Sequence, residues 1–596
     1  MADLAPAPVS DLPVPDAPAP LPGSSDGRLD PAQRARALQT MAGQQLDVLV
    51  VGGGITGAGT ALDAAARGLS VGLVEARDYA AGTSSRSSKL IHGGLRYLEQ
   101  LNFALVHEAL HERTLMLDRL CPHLVRPIPF LYPLTNRVWE RAYVGAGIAL
   151  YDAMAGRTGM PRHRHLTRTQ ALRIAPSLRA DKLVGAIQYY DAQVDDARHT
   201  LAVARTAARH GAAIATSCRV VDFVTEGERI VGAKVRDLEG GEEFVVRARQ
   251  VINATGVWTD DVQAFAGRGR IKVRASKGVH LVVPRDRIHS DAGFITRTAS
   301  SVLFVIPWMA PPFTRHWIIG TTDTEWDLGK AHPAASSADI DYLLGEANKW
   351  LNIPLTREDV EGVYAGLRPL LTGESEATSK LSREHAVVQG VSGLITVAGG
   401  KYTTYRVMAK DAIDAAARSM NRRVPETPTD RLPLVGADGF QATWNQRERL
   451  AAGSGLHVAR IEHLLRRYGS EVPRLLAAIA DRPELGAPID GAADHLMVEA
   501  WYAAAWEGAL HLDDVLTRRM RISIETWDRG LTAAKAVVGV VGEVLGWDED
   551  TRVRELSHYE ARVEAERESQ TMDDDHTADA ARLGAPDVRT GFATQR

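Results

Sequence analysis

The chain is short of cysteine and of net charge, and it has no long apolar run. Two cysteines, Cys121 and Cys218, occur in 596 residues. They cannot make a disulfide framework, so a reducing compartment such as the cytoplasm is expected. A formal net charge of −4 argues against a dedicated nucleic-acid binder, whose domain is usually clearly basic. No stretch approaches the roughly 20 apolar residues of a spanning helix; the run from Tyr143 to Tyr151 stops at Asp152. The chain is therefore not expected to span a membrane, although it can still lie on one. Metal-ligand spacing is missing too. His163 and His165 stand among arginines with no carboxylate or cysteine close by in sequence, so no metal is expected.

What is present, 45% hydrophobic and 24% charged side chains, describes a globular protein with room for several domains and a large core. Met1 to Pro31 hold eight prolines and five aspartates. A disordered tail is expected over 1–45, without the basic start and apolar centre of a signal peptide. A second solvated tail is expected over 571–596, around the run Asp573, Asp574, Asp575. Leu46 to about Pro122 reads as strand, turn, helix, strand. β-branched runs such as Val279 to Val283 and Leu303 to Ile306, mixed with helical stretches, continue to about Met420. After Pro433 helical spacing takes over, with Ile461, Leu464, Leu465 and Tyr468, then Val515, Leu516, Met520 and Ile524. A separate helical domain is expected over 430–568.

The strongest local signal runs from Asp47 through Gly52, Gly54, Gly57 and Gly59 to Arg67. An apolar strand enters a glycine turn and a helix leaves it. Gly52 permits the tight turn, Gly54 lets backbone approach a pyrophosphate, and Gly57 lets the helix pack on the strand. The helix N-terminus offers free N–H groups and partial positive charge to phosphates. A second strand ends at Glu75, 18 residues after Gly57, where an acid can bind a ribose hydroxyl and would repel the 2′-phosphate of NADP. The early position in the chain favours FAD over NAD. Two further segments support that choice. Arg249 to Gly256 ends a strand in Ala254-Thr255-Gly256, and Leu394 to Lys401 ends one in Gly399-Gly400, followed by a helix from Thr404. Either alone could be any strand and turn. Together they imply a discontinuous cofactor domain, and a helix N-terminus at the third could stabilise negative charge on a reduced flavin.

Thr83 to Glu99 carries hydroxyls, cations and the pair Gly93-Gly94, which suits a polar anion-binding loop or, in isolation, a Ser-rich surface turn. With the Gly52 to Glu75 unit, this stretch closely resembles the aerobic, FAD-dependent glycerol-3-phosphate dehydrogenase family. The resemblance continues through Ser276 to Pro284, Phe304 to Trp308, Ile319 to Asp323, Gly366 to Leu370, Gly399 to Arg406, and Glu499 with Asp513 to Arg519, covering roughly 46–550 in order. Its departures are the Pro/Ala-rich front, Thr56 and the extra cation Arg86. It implies an α/β and α+β fold. A Rossmann-like FAD-binding domain (about 46–125, 190–270 and 365–425) interleaves with a mixed-sheet substrate domain (about 126–189 and 271–364), followed by the C-terminal helical domain.

The resemblance implies oxidation of the C2 alcohol of glycerol 3-phosphate to dihydroxyacetone phosphate, with hydride passing to the flavin. FAD would be held by Gly52, Gly54, Gly57, Glu75, Thr83, Ser84, Ser88, Lys89, Leu90, Thr255, Gly256, Gly399, Gly400, Thr403 and Thr404. The dianionic phosphate needs fixed cations, and the resemblance assigns Arg96, Arg368 and Lys401, with Tyr97 beside Arg96. His280 is the candidate for the hydroxyl proton, because histidine titrates near working pH. Arg368 is its rival for polarising the alcohol, and His92 is a candidate flavin neighbour. Electrons would leave to a membrane quinone from a cytoplasmic protein lying on the membrane, where the basic stretch Arg157 to Arg179 follows aromatic Phe130, Tyr132, Trp139 and Tyr143. A solvated basic face explains that stretch equally well. The alternatives are a glycerol-3-phosphate oxidase using oxygen, a flavoprotein acting on an amine or 2-hydroxy acid, and a scaffold without turnover. Oligomeric state stays open, a homodimer included.

Overall fold

The computed structural model describes residues 26–589, apart from 100, 137–138, 157–159, 268, 270, 299–301, 310–313, 373–383, 421 and 586. The side chain of Arg96 is also outside the described set. In chain order, the elements that place the site are α1 (Pro31–Gly43), β1 (Leu46–Val51), α2 (Ile55–Ala66), β2 (Val71–Val74), α3 (Trp139–Ala155), β3 (Glu243–Asn253), β4 (Val273–Pro284), β5 (Gly362–Leu371), β6 (Leu394–Gly399), α4 (Tyr405–Ala417) and α5 (Asp575–Arg582).

Two large sheets alternate along the chain. The first has eight strands and a parallel centre in the order β6, β3, β1, β2, then Ala213–Ala215. β1, β2 and the end of β3 are buried on both faces, which is why they read as unbroken apolar runs rather than alternating ones. Helices α2, α4 and Asp196–Arg209 pack together over this sheet, while α1 lies against Ala213–Ala215 and β3. The second sheet has ten strands, mostly antiparallel. It includes β4, paired along its length with β5, and the two-residue strand Leu90–Ile91. The fold is therefore a Rossmann-like α/β unit joined to a mixed-sheet unit. A helical unit follows, whose core includes Ile461, Leu464, Leu465, Tyr468, Val515, Leu516 and Met520.

Both expected tails are partly structured. Within 1–45, α1 is a regular helix with Ala37 and Met41 buried. Pro31 sits in its first turn, where the missing N–H costs nothing, and the Asp30 carboxylate caps Gln33 N–H at 2.7 Å. The prolines and aspartates that read as disorder include this helix-start signal. Residues 1–25 and 590–596 of the two tails lie outside the described set. Within 571–596, the aspartate run starts α5: Asp574 caps the N–H groups of His576 and Thr577, and Asp575 pairs with the fully buried Lys277 of β4.

Candidate active site

β1, β3 and β6 are parallel neighbours, with Val51 opposite Asn253 and Asn253 opposite Thr396, so all three end on the same side of the sheet. The chain leaves β1 for β2 on one flank while β3 extends the sheet on the other. Open parallel sheets take nucleotides at such a crevice. Gly52 there has φ +111°, and a Cβ on it would lie 2.7 Å from the carbonyl oxygen of Ala254, just past β3. A Cβ on Gly57 would fall 1.8 Å from the carbonyl oxygen of Gly52, so only glycine lets α2 come this close. At Gly54 an added Cβ would meet Ser84 Oγ alone, at 3.2 Å, leaving bare backbone beside the first turn of α2 for a phosphate.

Glu75, directly after β2, accepts the Gly53 N–H at 2.6 Å and the Arg77 N–H at 2.8 Å. Burial raises its pKa, and these two donors oppose the shift. Past β3, Thr255 donates its hydroxyl to Asn253 Oδ1 at 2.6 Å, and Gly256 has φ +61°. Past β6, Gly399 and Gly400 (φ +75° and +80°) turn the chain toward buried Thr403 and Thr404 and into α4. A glycine cradle, a carboxylate where a ribose would lie, and helix starts beside these turns fit a dinucleotide such as FAD.

The serine loop connects this cradle to the second sheet. Ser84 Oγ accepts the Ile55 N–H at 2.9 Å, and the Thr83 hydroxyl donates to the carbonyl of Leu367 on β5 at 2.5 Å. The next residue is Arg368. Its Nη2 donates to Thr321 Oγ1 at 2.8 Å and to the carbonyl of Thr322 at 3.0 Å, and its Nη1 lies 3.5 Å from Asp323. The guanidinium lies across Gly278 of β4, where a Cβ would stand 2.4 Å from Nη2. Past β6, Lys401 Nζ sits 3.7 Å from the centre of the Tyr97 ring, within cation–π range, and 3.5 Å from the carbonyl of Gly93. His92 is tied to Thr403 through both its N–H and its carbonyl. Arg368, Lys401, Tyr97 and His92 are all half-buried. The Arg96 side chain is among the parts not described; its backbone starts the short helix Arg96–Glu99.

Three residues with expected site roles, Lys89, Leu90 and His280, have partners of their own within the protein. Lys89 was expected at the cofactor. Its ammonium is fully buried and meets Asp196 at 3.0 Å and the carbonyl of Ser85 at 3.1 Å. Burial and the neighbouring Arg521 lower its pKa to about 8. Leu90, next in sequence, is a buried residue of the second sheet, paired with Gln193. His280 was expected to handle the substrate's hydroxyl proton. The ring is only 2% exposed, stacked on Tyr364 at 4.8 Å, with Nε2 2.9 Å from Ser88 Oγ and Nδ1 lacking a hydrogen-bond partner. Burial, helped by Arg368 and Lys89, holds its pKa well below the usual imidazole range, so it is neutral at working pH. Ser88 is the side chain that meets this ring by a hydrogen bond.

Residues 47–406 match the family model described as FAD dependent oxidoreductase, and 427–552 match the C-terminal domain of alpha-glycerophosphate oxidase. Glycerol-3-phosphate dehydrogenase 2 of Mycobacterium tuberculosis (strain H37Rv) is 58% identical over 562 residues, 94% of this chain and 95% of that protein. The chain belongs to the FAD-dependent glycerol-3-phosphate dehydrogenase family. The human mitochondrial glycerol-3-phosphate dehydrogenase is 38% identical over 552 residues, 89% of this chain and 74% of that one. Among solved structures, the glycerol-3-phosphate dehydrogenase from Bacillus halodurans complexed with FAD superposes with a TM-score of 0.74 at 30% identity, covering 90% of this chain and 98% of that one. FAD is therefore the cofactor of this chain.

Sequence reasoning passed over several residues that build this site. Gly278 interrupts a strand, a signal of close approach to which no partner could be assigned. Tyr364, Gly366 and Arg368 alternate along β5 and share a face, so Tyr364 could have been placed beside His280, opposite which it pairs. Asp196 and Arg521 left no local signal.

Proposed function

We propose that the protein oxidises sn-glycerol 3-phosphate to dihydroxyacetone phosphate and passes the electrons to a membrane quinone. The observation that carries the substrate reading is the Arg368 guanidinium, laid over Gly278 by Thr321 and Thr322 one residue beyond the strand carbonyl that holds the serine loop. A planar fork held in this way suits a phosphate or a polarised alcohol oxygen, and Lys401 adds a point charge. Arg96 and Tyr97 complete the substrate pocket in this reading. FAD, when bound, supplies the two-electron acceptor. The chain's own residues orient the substrate through its phosphate and receive the hydroxyl proton, which reaches neutral His280 through Ser88 Oγ.

The acceptor reading rests on α3. Its outward face carries Trp139, Tyr143 and Leu150, 58%, 54% and 44% exposed, with exposed Ala142, Ala146 and Ala149 between them and exposed Ala153 after them. Exposed Phe103 opens the helix packed beside it, and exposed Arg162, Arg164 and Arg168 follow. His163, expected to lack a carboxylate, bonds Asp152 at 2.6 Å. No helix among the described residues is long and apolar enough to cross a membrane. An apolar, aromatic helix face with basic neighbours suits the surface of an anionic leaflet, and we place the protein on the cytoplasmic side of the membrane.

The test is an anaerobic visible spectrum before and after adding glycerol 3-phosphate. Bleaching of the flavin band supports the substrate assignment, and an unchanged flavin spectrum overturns it. With turnover established, quinone reduction without hydrogen peroxide supports the dehydrogenase, whereas peroxide as the main product makes the protein an oxidase.

A further inference from the structure

The helical domain contacts the serine loop through one buried ion cluster. Asp196 is fully buried. One of its oxygens accepts the Ser87 N–H at 3.0 Å and the Ser87 hydroxyl at 2.7 Å, and the other meets Lys89 at 3.0 Å and also Arg521. Arg521, just before the short helix Ile522–Glu525, is 2% exposed and held at φ +68°. It donates to the carbonyl of Ser85 at 3.0 Å and, through Nε and Nη2, to Asp195 at 3.0 and 2.9 Å. Tyr364, whose ring stacks on His280, donates its hydroxyl to the carbonyl of Ser87 at 3.0 Å. The loop is thus anchored at Ser85, Ser87 and Lys89. Between these anchors stands Ser88, whose Oγ reaches the one ring nitrogen of His280 that has a partner.

Other buried pairs already hold the helical domain in place: Arg519 with Asp78, Arg198 with Glu507, and Arg205 with Tyr502 and Glu471. Arg521 differs from them in its target, which is the loop. Asp196 without Arg521 would keep Lys89 and Ser87, but the carbonyl of Ser85 would lose its guanidinium donor and Asp195 Oδ1 would lose the two N–H groups that Arg521 donates to it. A buried ion network that loses one member is costly because the remaining charges stay desolvated, and here the strain falls on the segment carrying Ser88.

We propose that Arg521 and Asp196 are positioning residues for the reaction: the helical domain completes the active site by clamping Ser85–Lys89 so that Ser88 meets His280. The proposal rests on the reading of Ser88 and His280 given above. The two ideas are separated by measuring the clamp without turnover. In FAD-loaded full-length Arg521→Gln, amide hydrogen exchange across 85–91 should be faster than in the native protein, with residues 50–60 unchanged. Unchanged exchange across 85–91 overturns the clamp, whatever the substrate.

With glycerol 3-phosphate, Arg521→Gln should lose about tenfold or more in kcat with KM within about threefold, because the phosphate contacts are untouched. Its kcat–pH profile should move, since Ser88 couples a ring otherwise faced by Tyr364, Arg368 and Lys89. Arg521→Lys should recover part of kcat by restoring the charge on Asp196. Arg205→Gln, which loosens the same domain contact away from the loop, should lower Tm and leave kcat and the pH profile alone. Equal kcat losses in Arg205→Gln and Arg521→Gln, or a native kcat and pH profile in Arg521→Gln, would overturn the proposal. If Arg521→Gln does not fold, Arg521→Lys carries the same readouts: exchange and pH profile both native would count against the clamp. A native protein without turnover overturns the proposed function and leaves the exchange result to decide the clamp.

Discussion

Gly278→Ala is expected to disable substrate handling while leaving fold and cofactor intact. The added Cβ would lie 2.4 Å from Arg368 Nη2 and 2.7 Å from Thr321 Oγ1, against an ordinary contact of 3.4 Å or more. Guanidinium and methyl must therefore part by about 1 Å. The guanidinium is the far end of a flexible side chain, so it yields more easily than the paired strands β4 and β5. Yielding takes it off Thr321 and Thr322. A displacement of about 1 Å in a substrate-orienting group costs on the order of 100-fold, which is about 2.7 kcal/mol of transition-state stabilisation. The assay is kcat/KM for glycerol 3-phosphate with an artificial acceptor, beside the FAD-to-protein ratio and Tm. The expected result is a roughly 100-fold fall in kcat/KM, with full FAD content and little change in Tm. If the loss runs through Arg368, the double variant Gly278→Ala/Arg368→Ala should be no worse than Arg368→Ala alone. A Gly278→Ala enzyme with native kcat/KM, or losses that add in the double variant, would refute the reasoning.

Three further outcomes follow from the same geometry. Gly57→Ala drives a Cβ to 1.8 Å from the carbonyl oxygen of Gly52, with no side chain free to move aside. It should abolish the flavin absorbance of the purified protein and lower Tm, and a variant that keeps bound FAD would contradict the cradle. Replacing Trp139 and Tyr143 by serine should weaken co-sedimentation with anionic liposomes and leave turnover with a soluble dye unchanged; unaltered liposome binding would remove α3 from the membrane reading. Stability should fall as pH rises from about 6.5 through 9. Burial disfavours charge on His495 and His511, but Glu499 and Glu525 around the first, and Glu239 and Glu555 around the second, raise each to about 9. A folded pKa above the unfolded one gives stability that is complete below about 6.5 and lost by about 9. The slope of Tm against pH in that window should flatten in His495→Gln, and an unchanged slope would show that His495 is not the group titrating.

The sequence revealed the parts of this protein that depend on one residue type at one backbone position. Gly52, Gly57, Gly256, Gly399 and Gly400 sit where a left-handed φ or a close backbone approach admits little else; spacing pointed to Gly52 and Gly57, and the resemblance was needed for the other three. Charges obey no such rule. Lys89 and Lys277 are both fully buried cations in polar-looking stretches. Nothing near either announces that its partner is Asp196, or Asp339 with Asp575. The aspartate run at 573–575 reads as solvent-facing until β4 supplies a buried ammonium. His280 shows the same limit from the other side. Its strand and its apolar neighbours were readable, but whether its ring faced a substrate or a neighbour depended on Tyr364 and Ser88, each from a different segment. The clamp on the serine loop is the extreme case, because Arg521 and Asp196 are 325 residues apart and belong to different units of the fold. A motif search that treats the helical domain as separate will assign the chemistry to the first two units. The buried contact from Arg521 to the loop beside His280 argues that the third takes part in it.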